Sequence, residues 1–140
     1  MALLDENNRV RVFCTNPDAK LPHRAHRTDA GMDFFFCPHE GVAKRIMPGE
    51  STLLGTGIKM EVPPGCMLQI MNKSGVASKK SLVTGACVVD EGYTGEIFVN
   101  LHNIGSAPQY IEPGQKIAQG VFVRIEKPIL WEIGEDSIYG

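Results

Sequence analysis

Apolar residues along this chain fall into short runs rather than into long stripes of helical period. Ile97, Val99 and Leu101 alternate with Glu96, Phe98, Asn100 and His102, the period-two pattern of a strand with one buried face. Val10-Arg11-Val12-Phe13 alternates in the same way and predicts a first strand. Further strands are predicted at 34–36, 52–54, 57–62, 66–71, 82–84, 109–111 and 116–125, with a closing edge strand over 128–133. The most polar interruption, Asn72 to Lys80, predicts one short helix over Val76 to Lys80, with Ser74 as its cap. Glycine and proline punctuate the runs about every ten residues, at Asn16-Pro17-Asp18, Pro48-Gly49, Pro64-Gly65 and Pro113-Gly114 among others. The pattern predicts an all-β fold, a sandwich or a barrel, with one short helix.

Composition narrows this without redirecting it. A chain of 140 residues, 43% of them hydrophobic, predicts a single domain with a real core. A formal net charge of −2 leaves no electrostatic footprint for duplex nucleic acid or an anionic membrane. No apolar run approaches the roughly 18–20 residues of a membrane helix, and the N-terminus does not read as a secretory signal. Cys14, Cys37, Cys66 and Cys87 are dispersed and form no CxxC pair, which predicts reduced thiols in a cytoplasmic protein. The tail from Gly134 is acidic and predicted to be loose.

Candidate chemistry gathers in three places. Between Val88-Val89 and the alternating run lie Asp90, Glu91, Gly92 and Tyr93, closed by Gly95. A carboxylate at the end of an apolar strand costs free energy unless it is paired or used, so Asp90 either caps a turn or does chemistry. Lys73-Ser74-Gly75 offers a cation, a hydroxyl and a glycine in sequence, which suits an anion cradled by backbone N–H groups or a plain polar connection. It is not a Walker loop, because GxxxxGK[ST] is absent. His23 and His26 have the spacing of a metal pair, but no helix and no third ligand accompany them, and a solvated loop is expected.

Taken in order, Asp29-Ala30-Gly31-Met32-Asp33, Lys73-Ser74-Gly75-Val76-Ala77, Gly85 to Ile97 with Asp90 and Tyr93, and Gly114-Gln115-Lys116-Ile117-Ala118-Gln119 resemble the first four motifs of the trimeric dUTPase family, over about residues 10 to 125. The resemblance implies a jelly-roll-like domain over 1–125 followed by a C-terminal arm over 126–140. It also implies a homotrimer with active sites between subunits. The reaction it implies is hydrolysis of dUTP to dUMP and pyrophosphate with Mg2+. Carried over, Asp90 activates the attacking water on the α-phosphorus. Thr84, Gly85 and Val88 present backbone groups to uracil, and Tyr93 lies against the deoxyribose. Lys73, Ser74, Gly75 and Gln119 meet phosphates, and Asp33 acts through the Mg2+ water shell or by ordering the site.

Three departures from the family pattern stand out. Lys73 replaces the usual Arg and loses its planar fork. Cys87 replaces a Gly of the base-binding turn, a strain if the backbone there has positive φ. The fifth motif, an Arg followed by a Gly-rich, Phe-containing tail, is not found: residues 126–140 hold Trp131 and an acidic end but no Arg. This last departure motivates an alternative, a dUTPase-fold regulator that binds a nucleotide or a protein with little turnover. The sister activity, dCTP deamination, is disfavoured because Asn100 stands where the similar deaminases carry a Glu, and an amide cannot serve as their acid/base.

Overall fold

A computed structural model describes residues 8–140; the expectation about an N-terminal signal falls on residues outside these. The elements are β1 (Val12–Cys14), β2 (Met32–Phe35), β3 (Lys44–Ile46), β4 (Ser51–Gly55), β5 (Ile58–Met60), β6 (Cys66–Met71), α1 (Ser74–Lys80), β7 (Leu82–Thr84), β8 (Val88–Asp90), β9 (Phe98–Asn103), β10 (Gln109–Ile111) and β11 (Lys116–Arg124). One sheet has the order β2-β11-β6-β8 and a second β4-β9-β7; β1 pairs with β5 and β3 with β10. Every recorded strand pairing is antiparallel. No two consecutive strands are hydrogen-bonded neighbours, as in jelly-roll folds, and the chain forms the expected all-β class with one short α-helix; the tail expected to be loose instead makes an exposed 3-10 turn over Glu135–Ser137.

Period-two patterning explains the layers. Val99 and Leu101 of β9 are buried while Phe98 is 44% exposed. In β6, Cys66, Leu68 and Ile70 point inward and alternate with Met67, Gln69 and Met71. These inner faces meet in one apolar cluster with Phe34, Leu54, Leu82 and Ile117. Each fully buried Leu or Phe there contributes about 1.5–3 kcal/mol of transfer free energy. The four cysteines are free thiols. Burial, with Asp18 and Glu96 nearby, pushes the Cys37 thiol up.

Four further expectations are corrected. The run at Val10 forms a strand two residues later, and Phe13 is 65% exposed, because β1 has only β5 as a partner. No strand forms over 128–133: Ile129, Leu130 and Trp131 are almost fully exposed, with no partner ladder for their backbone among the described residues. Ser74 is the first helical residue rather than the cap. That place belongs to Lys73, whose extended backbone makes no side-chain cap and whose carbonyl accepts the Ala77 N–H at 2.9 Å. The strand β3 was not expected. Lys44-Arg45-Ile46 has a single apolar residue, and the buried Asn103 amide, donating to the Ile46 and Ala107 carbonyls at 2.9 Å each, anchors it. Among the described residues no helix is long and apolar enough to cross a membrane.

The strand β11 lies between β2 and β6, and its midpoint is Gly120, paired with Met32 on one side and Ile70 on the other. A Cβ at Gly120 would lie 2.6 Å from the Phe34 ring and 3.0 Å from Leu68. Both neighbours are fully buried and cannot retreat. We predict that Gly120→Ala costs about 1–3 kcal/mol in urea unfolding; a variant as stable as the parent would contradict this packing account.

Candidate active site

Cross-strand partners project to the same face of a sheet. Asp33 of β2 is opposite Gln119 of β11, which is opposite Met71 of β6, so the three form one row on the outer face of the four-stranded sheet. Asp33 is nevertheless buried. Lys73 covers one carboxylate oxygen at 2.9 Å and Lys116 the other at 3.3 Å. An unpaired carboxylate in that place would be strongly unfavourable, and two ammonium groups with partly exposed stems offset the desolvation. Gln119 donates from its amide to the Asn72 carbonyl at 2.9 Å. It also fills the space over Gly31, where a Cβ would lie 2.1 Å from its Oε1. Asp29, at the start of the same motif, accepts the His26 backbone N–H, which holds its carboxyl below the usual range.

The loop from Lys73 leads into Ser74 and Gly75 at the start of α1, with open space around Gly75. His26 turns to Asp29, and His23 bridges Asp33 through its backbone. Among the described residues no three His, Cys, Asp or Glu side chains could together hold a metal.

Asp90 ends β8 in another row. It is paired with Met67 of β6, four residues from Met71, or roughly 13 Å along the strand at about 3.3 Å per residue. Its side chain points to solvent and has no hydrogen bond or ion pair among the described residues. Its backbone closes a turn by accepting the Tyr93 N–H at 3.2 Å, with Gly92 at φ +83° inside it. That left-handed angle suits glycine. The Tyr93 hydroxyl donates to the Glu96 carbonyl at 2.7 Å, and Gly95 leaves room for the ring, since a Cβ there would lie 2.6 Å from the hydroxyl. The half-exposed ring is therefore held at the end of the turn that Asp90 begins. Lys127 pairs with Glu91 at the edge of this turn.

The turn from Thr84 to Val88 lies at the Met71 end of the sheet. The Thr84 N–H is taken by the Asn72 side chain at 2.8 Å, and the Cys87 carbonyl by the Ile70 N–H at 2.7 Å. Asp33, Lys73 and Gln119 thus gather at one place on the outer face of this sheet, and Asp90 stands in a separate row at the start of the turn that leads to Tyr93.

Comparison with known proteins gives the family. The family model for dUTPase matches residues 17–136. The chain belongs to the dUTPase family. It is 40% identical over 121 residues to the deoxyuridine 5'-triphosphate nucleotidohydrolase of Clostridium acetobutylicum, covering 85% of this chain and 81% of that protein. It is 35% identical over 130 residues to the protein of the same name from Chlamydia trachomatis, covering 91% and 88%. The structure is similar to the dUTPase from phage phi11 of S. aureus, with a TM-score of 0.84, 27% identity, and coverage of 91% of this chain and 97% of that one. The Staphylococcus bacteriophage 80alpha dUTPase, in a mutant bound to dUpNHpp, is equally similar at a TM-score of 0.84 and 27% identity, with coverage of 91% and 89%. A further phi11 variant is described as revealing the coordination of a structural Mg(II) ion.

Against the family pattern, Cys87 carries no backbone strain: Asn8, Ser81 and Tyr139 are the described non-glycine residues with positive φ. Two contributors carry no signal of their own in the sequence. Lys116 stands there as one member of a motif, and its reach to Asp33 depends on strand register. Asn72 lay in a polar connection with no pattern to mark it.

The ion triad predicts a particular non-additivity. Lys73→Met with Lys116→Met strands a buried carboxylate and should lower stability by about 3 kcal/mol, whereas adding Asp33→Asn to the pair should recover most of that loss. Chemical denaturation measures all three variants; a double variant as stable as the parent would show that Asp33 does not need its cations.

Proposed function

We propose that this protein hydrolyses dUTP to dUMP and pyrophosphate, in a homotrimer whose active sites lie between subunits. The observation that carries the reading is the separation of two complementary half-sites in one protomer, within a chain of the dUTPase family. A free carboxylate at the start of a turn that carries a held aromatic ring is suited to activate water near a sugar. A cation-lined carboxylate row is suited to a polyphosphate. About 13 Å of strand keeps them apart unless a second subunit brings its own half across.

In this reading Asp90 takes a proton from the water that attacks the α-phosphorus. Its open, solvated position puts it within reach of a water. Tyr93 packs on the deoxyribose, leaving no room for a 2′-hydroxyl, and Thr84, Gly85 and Val88 offer backbone groups to uracil. Lys73 exchanges its bond to Asp33 for a phosphate oxygen, so Asp33 holds the cation in place before substrate arrives. Ser74, Gly75 and Gln119 add donors to the phosphates. Catalysis then rests mostly on positioning and charge stabilisation, as phosphoryl transfer requires.

The donor set fits a Mg2+ ion brought by the triphosphate rather than one held by the protein. The Asp33 carboxylate is already engaged by two lysines, and no cluster of ligands accompanies it among the described residues. Bound there, the ion would neutralise phosphate charge, and Asp33 with Gln119 would meet its water shell.

The test is pyrophosphate release from dUTP, dCTP, dTTP and UTP by the parent protein and by Asp90→Asn. The parent should release pyrophosphate from dUTP alone. Asp90→Asn should lose about 10²–10⁴-fold in turnover and still bind a non-hydrolysable dUTP analogue. Unchanged turnover in that variant would remove Asp90 from its role, and no release from dUTP by the parent would sink the reading.

A further inference from the structure

We propose that Asn100, braced by His102, fixes the turn Thr84–Val88 and thereby sets which base the enzyme accepts. The inference rests on the reading above, in which that turn meets uracil. Asn100 lies on the outward face of β9, opposite the side that buries Val99 and Leu101. Its backbone carbonyl accepts the Gly85 N–H at 2.9 Å, and its side-chain oxygen accepts the Ala86 N–H at 3.1 Å. One residue therefore holds two successive N–H groups of the turn.

The amide is itself held. Its nitrogen donates to the Thr52 carbonyl of β4 at 3.1 Å, and His102 Nε2 lies 3.1 Å from its oxygen. An amide oxygen accepts and never donates, so a hydrogen bond between the two has the hydrogen on His102 Nε2. The turn also has no slack on this side. A Cβ at Gly85 would lie 2.2 Å from the Asn100 oxygen and 2.3 Å from His102 Nε2. The peptide planes at Gly85 and Ala86 cannot rotate without breaking a bond to Asn100.

Fixed planes matter because uracil and cytosine differ by donor and acceptor at neighbouring ring positions. Backbone groups discriminate between them only if each group keeps its direction. A site built on such hydrogen bonds rejects the wrong edge strongly, and a loosened one does not. Asn100 touches no substrate in this account; it is a positioning residue acting through the backbone of the turn.

The experiment is calorimetric binding of dUMP and dCMP to the full-length protein, with turnover of dUTP, melting temperature and solution mass measured alongside. Asn100→Leu should weaken dUMP binding about tenfold, the worth of one lost hydrogen bond of this kind. It should leave dCMP unchanged and raise KM more than it lowers kcat. Asn100→Asp keeps an acceptor for Ala86 and should recover most of the preference for dUMP. His102→Leu removes only the brace, should cut the preference about threefold, and serves if Asn100→Leu does not fold. A folded Asn100→Leu or His102→Leu that keeps the parent's preference for dUMP over dCMP would overturn the proposal. Loss of assembly together with binding would also overturn it, by making the pair an interface element. If the parent itself does not prefer dUMP, the reading of the base turn fails and this inference fails with it.

Discussion

The central constraint in this fold is the close approach of three strands at the middle of β11. Gly120 lets Phe34 of β2 and Leu68 of β6 close over it, with no room for a methyl group. That contact fixes the register on both sides. Register in turn decides which outward residues share a row: Asp33, Gln119 and Met71 in one, Asp90 and Met67 in another. A one-residue slip would send each of those side chains to the core face. The positions of the chemical groups are thus a consequence of packing beneath them.

On that face, charge is arranged in advance of any ligand. Asp33 is buried and is tolerable only because Lys73 and Lys116 cover it. The same arrangement keeps Lys73, which rises from a loop just before α1, aimed at the outer face. Asp90 has the opposite environment, open to water at a strand end. A carboxylate paired with two cations and a carboxylate left open to water are two environments of one residue type, set by burial and neighbours.

Much of this was legible in the chain. The alternation from Glu96 to His102 gave β9 and its buried side, and the placement of Asp90 and Tyr93 between two strands follows from the apolar run before them and the alternation after them. Four ordered motifs pointed to the family. Other features depend on distance in sequence. Lys116 meets Asp33 across 83 positions, and no local pattern carries such a contact. The segment 44–46 became a strand because Asn103 and β10 received it, although its own residues are mostly polar. The segment 128–133 did not, because apolar residues make a strand only where a ladder waits for their backbone. The separation of the Asp33 row from the Asp90 row depends likewise on register, because spacing along the chain says nothing about rows across a sheet.

The central claim is that the half-site of Asp90 on one subunit works with the half-site of Lys73 on another. Co-expression of Asp90→Asn and Lys73→Ala chains with different tags, and purification through both tags, isolates mixed assemblies of the two inactive chains. In a cyclic trimer of this kind one site of three combines an intact Asp90 with an intact Lys73 from its neighbour, so dUTP hydrolysis at about a third of the parent rate is expected. Mixed assemblies as inactive as either variant alone would contradict a site shared between subunits.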